Sequence, residues 1–139
     1  MNTQRAMFLL RLLWAMPCTL LGVLFGIFVI GLGGSVRRIE HTFEFALSVS
    51  QELAPSWTGK LRFSAITLGH IIVGQSHEVL AVLRTHERVH VRQYEILGPL
   101  FFVAYPASSL LALVRGHCPY HGNGFEKQAF AHESVSKLA

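Results

Sequence analysis

His86-Glu87-Arg88-Val89-His90 is the segment whose residue types and spacing could do chemistry. Residues i and i+4 share a helix face, so on a helix the two imidazoles converge on one tetrahedral metal ion while Glu87 projects beside it. A divalent ion there lowers the pKa of a bound water to about 7, and Glu87 is placed to take its proton as general base. Chance supplies about 0.03 such patterns in a chain with this many His and Glu, which leaves an alternative open: two histidines satisfied by core or interface hydrogen bonds. Both fall on an apolar stripe with Val79, Leu83 and Tyr94, where unpaired imidazoles would be costly.

A catalytic metal needs a third protein ligand and an open position. Downstream of the motif the candidates are Glu95, His117, Cys118, His121, Glu126, His132 and Glu133. Glu126 is favoured because it follows an Asn-Gly turn and Phe125 and opens a helix with Ala129 one turn on, presenting its carboxylate from a second helix. The runner-up is the His117-Cys118-Pro119-Tyr120-His121 segment, which also reads as an ordinary turn. All eight acids are Glu and there is no Asp, so any carboxylate chemistry uses one of these eight.

The elements that must position these groups belong to a membrane protein. Of 139 residues, 51% are hydrophobic and 14% charged, too apolar for a disordered or fibrous chain. The net charge of +4 comes from basic residues scattered singly or in pairs, so no nucleic acid partner is expected. Leu12–Leu32 is uncharged and long enough to cross roughly 30 Å of hydrocarbon, which predicts a transmembrane anchor over 1–33. The competing reading is a signal peptide, with Arg5 and Arg11 before the run and Gly33-Gly34-Ser35 after it, but the run exceeds the usual apolar core of one. Pro17, Gly22 and Gly26 are tolerated in such a helix, and the glycines allow close approach of a second one. Cys18 and Cys118 are too differently placed to imply a disulfide framework.

Residues 34–139 read as an α+β domain with two or three short strands. Thr42–Leu47 alternates with period two, and Pro55 and Gly59 punctuate a loop. Leu61–Val73 is rich in β-branched residues and reads as one strand or two, with Gly69 as a bulge or close-approach point. Ser76 as N-cap and Glu78 in the first turn open a helix from His77 to near Glu95, and a short helix runs from Phe125 to about Leu138.

Ile96–Val114 is a second uncharged run, interrupted by Pro99 and Tyr105-Pro106. If both apolar runs crossed, His86 and His90 would lie across the membrane from Glu126. Proline at 106 removes a helix hydrogen bond and disfavours helix at Tyr105, so the run is expected to break there into a membrane-associated hairpin over 96–114 that returns to the same side. Arg5 and Arg11 oppose Arg37 and Arg38 across the anchor, and the amino terminus is read as inside, in an inner membrane of bacterial type.

His-Glu-x-x-His with a later Glu on a second helix resembles the gluzincin zinc metallopeptidases. The longer string from His86 to Phe101, with Tyr105, Ser109-Leu110, Leu113, Arg115-Gly116, Pro119-Tyr120, Asn123 and Phe125-Glu126, resembles a group of small bacterial membrane proteins carrying the motif. The likeness covers about residues 61–130. It implies Zn2+ on His86, His90 and Glu126, with Glu87 as base. Ile66–Val73 would supply an edge strand that pairs with an extended substrate. His70, Tyr120 and His121 are candidate transition-state or substrate contacts. One departure is the lack of Asp: gluzincins often carry one after the third ligand to orient a zinc histidine. That partner must come from another residue, or the site binds metal without efficient turnover.

The expected activity is thus that of a membrane-anchored zinc-dependent hydrolase, a metallopeptidase acting on polypeptide through a water activated by Glu87. The alternative is a non-catalytic small subunit of a larger membrane complex, or a homo-oligomer, with a structural metal; a third reading is a metal-handling protein using the eight histidines. With so small a domain, lipid or a larger partner would supply one wall of a specificity pocket.

Overall fold

The computed structural model describes residues 3–47 and 64–138. Its order is α1 (Thr3–Gly31), β1 (Ser35–Ile39), β2 (Thr42–Ala46), β3 (Ala65–Leu68), β4 (Ile71–Gly74), α2 (His77–Leu97), a 3-10 turn (Gly98–Leu100), α3 (Phe101–Val114) and α4 (Gly124–Leu138). The Pro55–Gly59 loop and residues 61–63 of the expected second strand lie outside the described residues.

The architecture is mixed α+β, with one four-stranded sheet in the order β1-β2-β4-β3. β1 and β2 are antiparallel, β2 and β4 parallel, and β3 and β4 antiparallel. Two or three strands were expected. The extra one, β1, carries adjacent Arg37 and Arg38, which obscure a period-two pattern. It is specified by the turn: Glu40 has φ of 56°, and Thr42 Oγ1 donates to the Ile39 carbonyl at 2.9 Å. The segment ending at Val73 is a hairpin, β3 and β4, turning at Gly69-His70 with Gly69 at φ 62°.

The sheet lies between two helices. Alternate residues of β4 serve each side: Ile71 and Val73 join Phe45 and Val29 against α1, while Ile72 joins Ala46, Leu80 and Val91 against α2. Five α1 residues spaced three or four apart, Ala15, Cys18, Gly22, Gly26 and Val29, form the buried stripe. The close approach expected of Gly22 and Gly26 is made to the sheet and not to a second helix. A Cβ at Gly22 would stand 2.6 Å from Ile71 Cβ, and one at Gly26 2.6 Å from the Phe45 ring. The outer face of α1, including Leu13, Leu20, Leu24, Ile27 and Phe28, is exposed and apolar.

Helix α2 starts where Ser76 Oγ accepts from the Val79 amide at 3.2 Å, a cap of about 1 kcal/mol. It ends at Gly98, whose φ of 54° lies in the left-handed region and whose missing Cβ makes room for Trp14. The break in the second apolar run is therefore at Gly98-Pro99, not at Tyr105-Pro106. Helix α3 continues through Pro106, which forfeits one N–H bond near the start of the helix, while the chain has already turned at a residue that only glycine suits. Thr3–Gly31 and His77–Val114 are both long and apolar enough to cross a membrane by length and composition. The turn at Gly98 divides the second stretch into charged α2 and uncharged α3. At 1.5 Å per residue, α3 alone reaches about 21 Å, short of the hydrocarbon thickness.

After α3 the chain doubles back. His117 N donates to the Ala112 carbonyl at 2.9 Å, and Asn123 Nδ2 donates to the Tyr105 carbonyl and to Ser109 Oγ at 3.1 and 2.8 Å. Fully buried Asn123 then opens α4, its Oδ1 accepting from the Phe125 amide at 2.9 Å. The hairpin that returns the chain is thus α3 with its polar returning limb, turning at Arg115-Gly116, and it delivers α4 onto α2.

Candidate metal centre

Four-residue spacing on α2 puts His86 and His90 on the face that α4 covers, and α4 brings Glu126 to them in its first turn. His86 Nε2 lies 3.1 Å from Glu126 Oε2 and 3.2 Å from His90 Nε2, and His90 Nε2 lies 3.4 Å from Glu126 Oε1. All three residues are buried. Their ligand atoms lie within 4.8 Å of one another, a group that could hold a metal ion. The separations suit the edge of a tetrahedron with bonds of about 2.0–2.1 Å, whose edge is about 3.3 Å.

The hydrogen-bond network fixes the tautomer of His90. Gln93 Nε2 donates to the Phe125 carbonyl at 3.1 Å, and a backbone carbonyl can only accept. The other Gln93 atom facing His90 is therefore Oε1, which accepts from His90 Nδ1–H at 2.9 Å and leaves the Nε2 lone pair pointing into the site. His86 Nδ1 faces Glu133 Oε2 at 3.5 Å without hydrogen-bond geometry, and it is a buried nitrogen with no hydrogen-bond partner. Two imidazole Nε2 atoms and a carboxylate converge in this buried space, where the His90 lone pair and the carboxylate repel one another unless a cation or an added proton neutralises them. The donor set fits a divalent metal.

Glu87 stands beside the group. Its Oε2 accepts from Thr67 Oγ1 of β3 at 2.7 Å, and burial, the largest influence, raises its carboxyl above the ordinary range against that hydrogen bond and the neighbouring imidazoles. Burial would also raise Glu126, but hydrogen bonds from His86, His90 and Tyr105 outweigh it and hold that carboxyl well below the usual carboxylate range. The Tyr105 hydroxyl donates to Glu126 Oε1 at 2.6 Å. These groups line a cleft of about 750 Å³ together with Ser64–Leu68, Leu83, Phe102, Pro106, Tyr120, His121 and Phe130.

Of the expected substrate contacts, Tyr120 and His121 reach this cleft, Tyr120 edge-on to Phe130 and His121 tilted against it, at ring distances of 5.9 and 5.6 Å. Burial, followed by the charge of Glu126, raises the Tyr120 hydroxyl above its ordinary range, so it stays a proton donor. His70 does not line the cleft. It sits in the β3–β4 turn, with Nε2 3.3 Å from Glu95 Oε1 and Nδ1 3.2 Å from Thr19 Oγ1 of α1, because the tight Gly69 turn directs it toward α1. Glu95 is thereby engaged away from the metal group. His117, Cys118 and His132 are exposed, and among the described residues none joins the buried triad.

Sequence reasoning gave no role to Thr67, Gln93 and Tyr105, and weighed Glu133 only as a candidate third ligand. Two had a legible signal: Gln93 follows His90 by three residues and Glu133 follows Glu126 by seven, spacings that keep each pair on one helix face. Thr67 and Tyr105 are brought in by the hairpin and by α3, which local spacing does not encode. Comparison with protein-family models, curated proteins and solved structures found no match to the chain.

Proposed function

We propose that this chain is a membrane-attached, zinc-dependent hydrolase, a minimal metallopeptidase resembling the gluzincins, with Glu87 as general base and His86, His90 and Glu126 as ligands. The observation that carries the reading is the buried convergence of two imidazole Nε2 atoms and a carboxylate, with a second, protonatable carboxylate beside them in one cleft. Two nitrogens and one oxygen are a donor set suited to zinc, and three protein ligands leave a position open. Zinc so held supplies Lewis acidity toward a carbonyl oxygen and toward water.

Glu87 takes a proton during attack and returns it to the departing amine, roles that suit a carboxyl raised above its ordinary range by burial. Among the described residues β3 is the edge of the sheet and lines the cleft, so its outer N–H and C=O groups are available to align an extended polypeptide. Tyr120 is a neutral hydroxyl donor at the cleft wall, suited to a developing oxyanion. The apolar outer faces of α1 and α3 supply the membrane attachment.

The test is zinc content and peptide hydrolysis of the detergent-purified full chain. One zinc per chain is expected in the wild type, lost in His90→Ala and weakened in Glu126→Gln. Glu87→Gln should keep zinc and lose turnover; hydrolysis retained by that variant overturns the reading. A zinc-loaded wild type that cleaves nothing and co-purifies with a stoichiometric partner would instead support a non-catalytic subunit with a structural metal.

A further inference from the structure

The cleft lies level with the middle of the uncharged run of α1. Gly22 is the midpoint of the uncharged run Leu12–Leu32, and a Cβ there would stand 2.7 Å from the carbonyl of Leu68, the last residue of β3 and part of the cleft lining. Two ties fix α2 antiparallel to α1: Trp14 Nε1 donates to the Ile96 carbonyl at 3.2 Å, and Ser35 Oγ meets His77 Nε2 at 2.9 Å beyond the other end of α1. His86 and His90 fall between these ties, beside the central turns of α1 and not beyond either end.

Charge is partitioned across the sheet. Arg37 and Arg38 stand on edge strand β1. The ion pairs of Arg84 with Glu44, at 2.8 Å, and of Arg88 with Glu40, also at 2.8 Å, lie on the β1–β2 side. The opposite edge is β3, Ala-Ile-Thr-Leu, and beyond the cleft stands uncharged α3 with Val103, Leu110, Leu113 and Val114 exposed. Among the described residues, the cleft lining includes no Lys or Arg, and its acids are those at the metal centre. Charged side chains of a soluble peptide find no counter-charge there, whereas apolar ones find Leu68, Leu83, Phe102, Pro106 and Phe130. A volume of about 750 Å³ holds several such side chains.

We infer, resting on the hydrolase reading above, that the substrate is an apolar, membrane-embedded polypeptide segment, drawn laterally from the bilayer between α3 and the edge of β3 and cleaved within its apolar stretch. The polar centre of the cleft supplies the hydrogen-bonding groups that an unwound segment would lack in lipid. The flank with β1 faces away from this path.

The test uses the zinc-loaded full chain in phosphatidylcholine/phosphatidylglycerol bicelles with two probes. One is a synthetic peptide whose Leu/Ala/Val stretch of about 20 residues spans the bilayer; the other is an unstructured, soluble peptide of mixed composition. Cleavage inside the apolar stretch is expected. The double variant Val103→Asn/Leu110→Asn, on the outer face of α3, should lower it about tenfold, a difference of ~1.4 kcal/mol, and leave cleavage of the soluble peptide unchanged. Soluble peptide cut while the spanning peptide stays intact, or equal loss on both probes in the variant, overturns this inference and leaves the hydrolase reading standing. Neither peptide cut by protein shown to hold zinc overturns both.

Discussion

Glu133 Oε2 lies 3.5 Å from Nδ1 of His86, and Glu133 stands on the same helix as Glu126, seven residues on. Two turns of α4 therefore place Glu126 and a second carboxylate on one face, the second facing His86 Nδ1 without a hydrogen bond. The chain has no Asp, and under the proposed function Glu133, two turns on from Glu126, is the carboxylate that faces His86 Nδ1 and would orient it once metal is bound. Partners of this kind set ring orientation and ligand basicity. Glu133→Ala is expected to weaken zinc binding about 10–100-fold, measured by competition with a chromophoric chelator, and Glu133→Asp to restore part of the loss. Affinity unchanged in Glu133→Ala would remove Glu133 from this role.

Gln93 does two things at once: it accepts from His90 Nδ1 and it ties α2 to α4 through Phe125 and Gln128. Two variants separate them. Gln93→Leu removes both and should lower zinc affinity and cost about 1–3 kcal/mol of stability by orphaning buried partners. Gln93→Glu keeps an acceptor for His90 and sets a carboxylate against the Phe125 carbonyl, so its melting temperature should fall while zinc affinity is largely retained. Equal losses of affinity in both variants would contradict the tautomer assignment.

The hydroxyl of Thr67 favours the ionised form of Glu87, opposing the burial that raises that carboxyl. In Thr67→Val the donor is gone at nearly constant volume, so the carboxyl must rise further. A general base works only when ionised, and the acid limb of kcat/KM should therefore move to higher pH, with activity at alkaline pH nearly kept. A pH–rate profile reads this directly. An unmoved acid limb would mean that some other group sets it.

The reach of local sequence explains what was legible. His86, His90 and the Ser76 cap are governed by helical spacing and capping chemistry, which act within one turn, and Glu126 is announced by its own turn and helix start. The break falls at Gly98-Pro99 and not at Pro106, although a proline punctuates the run at both places. The requirement for glycine at 98 comes from Trp14, 84 residues away. His70 illustrates the same limit: its partners Thr19 and Glu95 sit on two different helices, so its residue type suggested chemistry that its location does not serve.

The α1–sheet contact depends on the two glycines of its buried stripe. At Gly22 an added Cβ meets Ile71 Cβ at 2.6 Å and a backbone carbonyl at 2.7 Å, so neither neighbour can yield cheaply. Gly22→Leu should destabilise the detergent-purified protein by about 1–3 kcal/mol or more and loosen β3 on the cleft wall. Gly31→Ala is the control: nothing lies within 4 Å of its Cβ position, so a neutral or slightly stabilising effect of up to about 1 kcal/mol is expected. Thermal melts of both variants check this, and a Gly22→Leu protein as stable as wild type would place α1 elsewhere than on the sheet.

Glu126 also predicts how the metal-free protein responds to acid. Its carboxyl is held below the ordinary value of 4.5 in the folded chain by His86, His90 and Tyr105, so unfolding raises its affinity for a proton. The stability it contributes is fully present above about pH 4.5 and is lost as pH falls from there toward the depressed folded value. Between these limits the unfolded chain holds up to one proton more than the folded one at this group, a slope of up to about 1.4 kcal/mol per pH unit. Chelator-treated wild type should accordingly lose melting temperature more steeply below about pH 4.5 than Glu126→Gln, which has no carboxyl to protonate, and the two curves should run parallel at higher pH except where the imidazoles titrate. Parallel curves through the acid range would mean that Glu126 is not engaged with the histidines until metal is bound, and that the ion assembles the triad instead of occupying one already made.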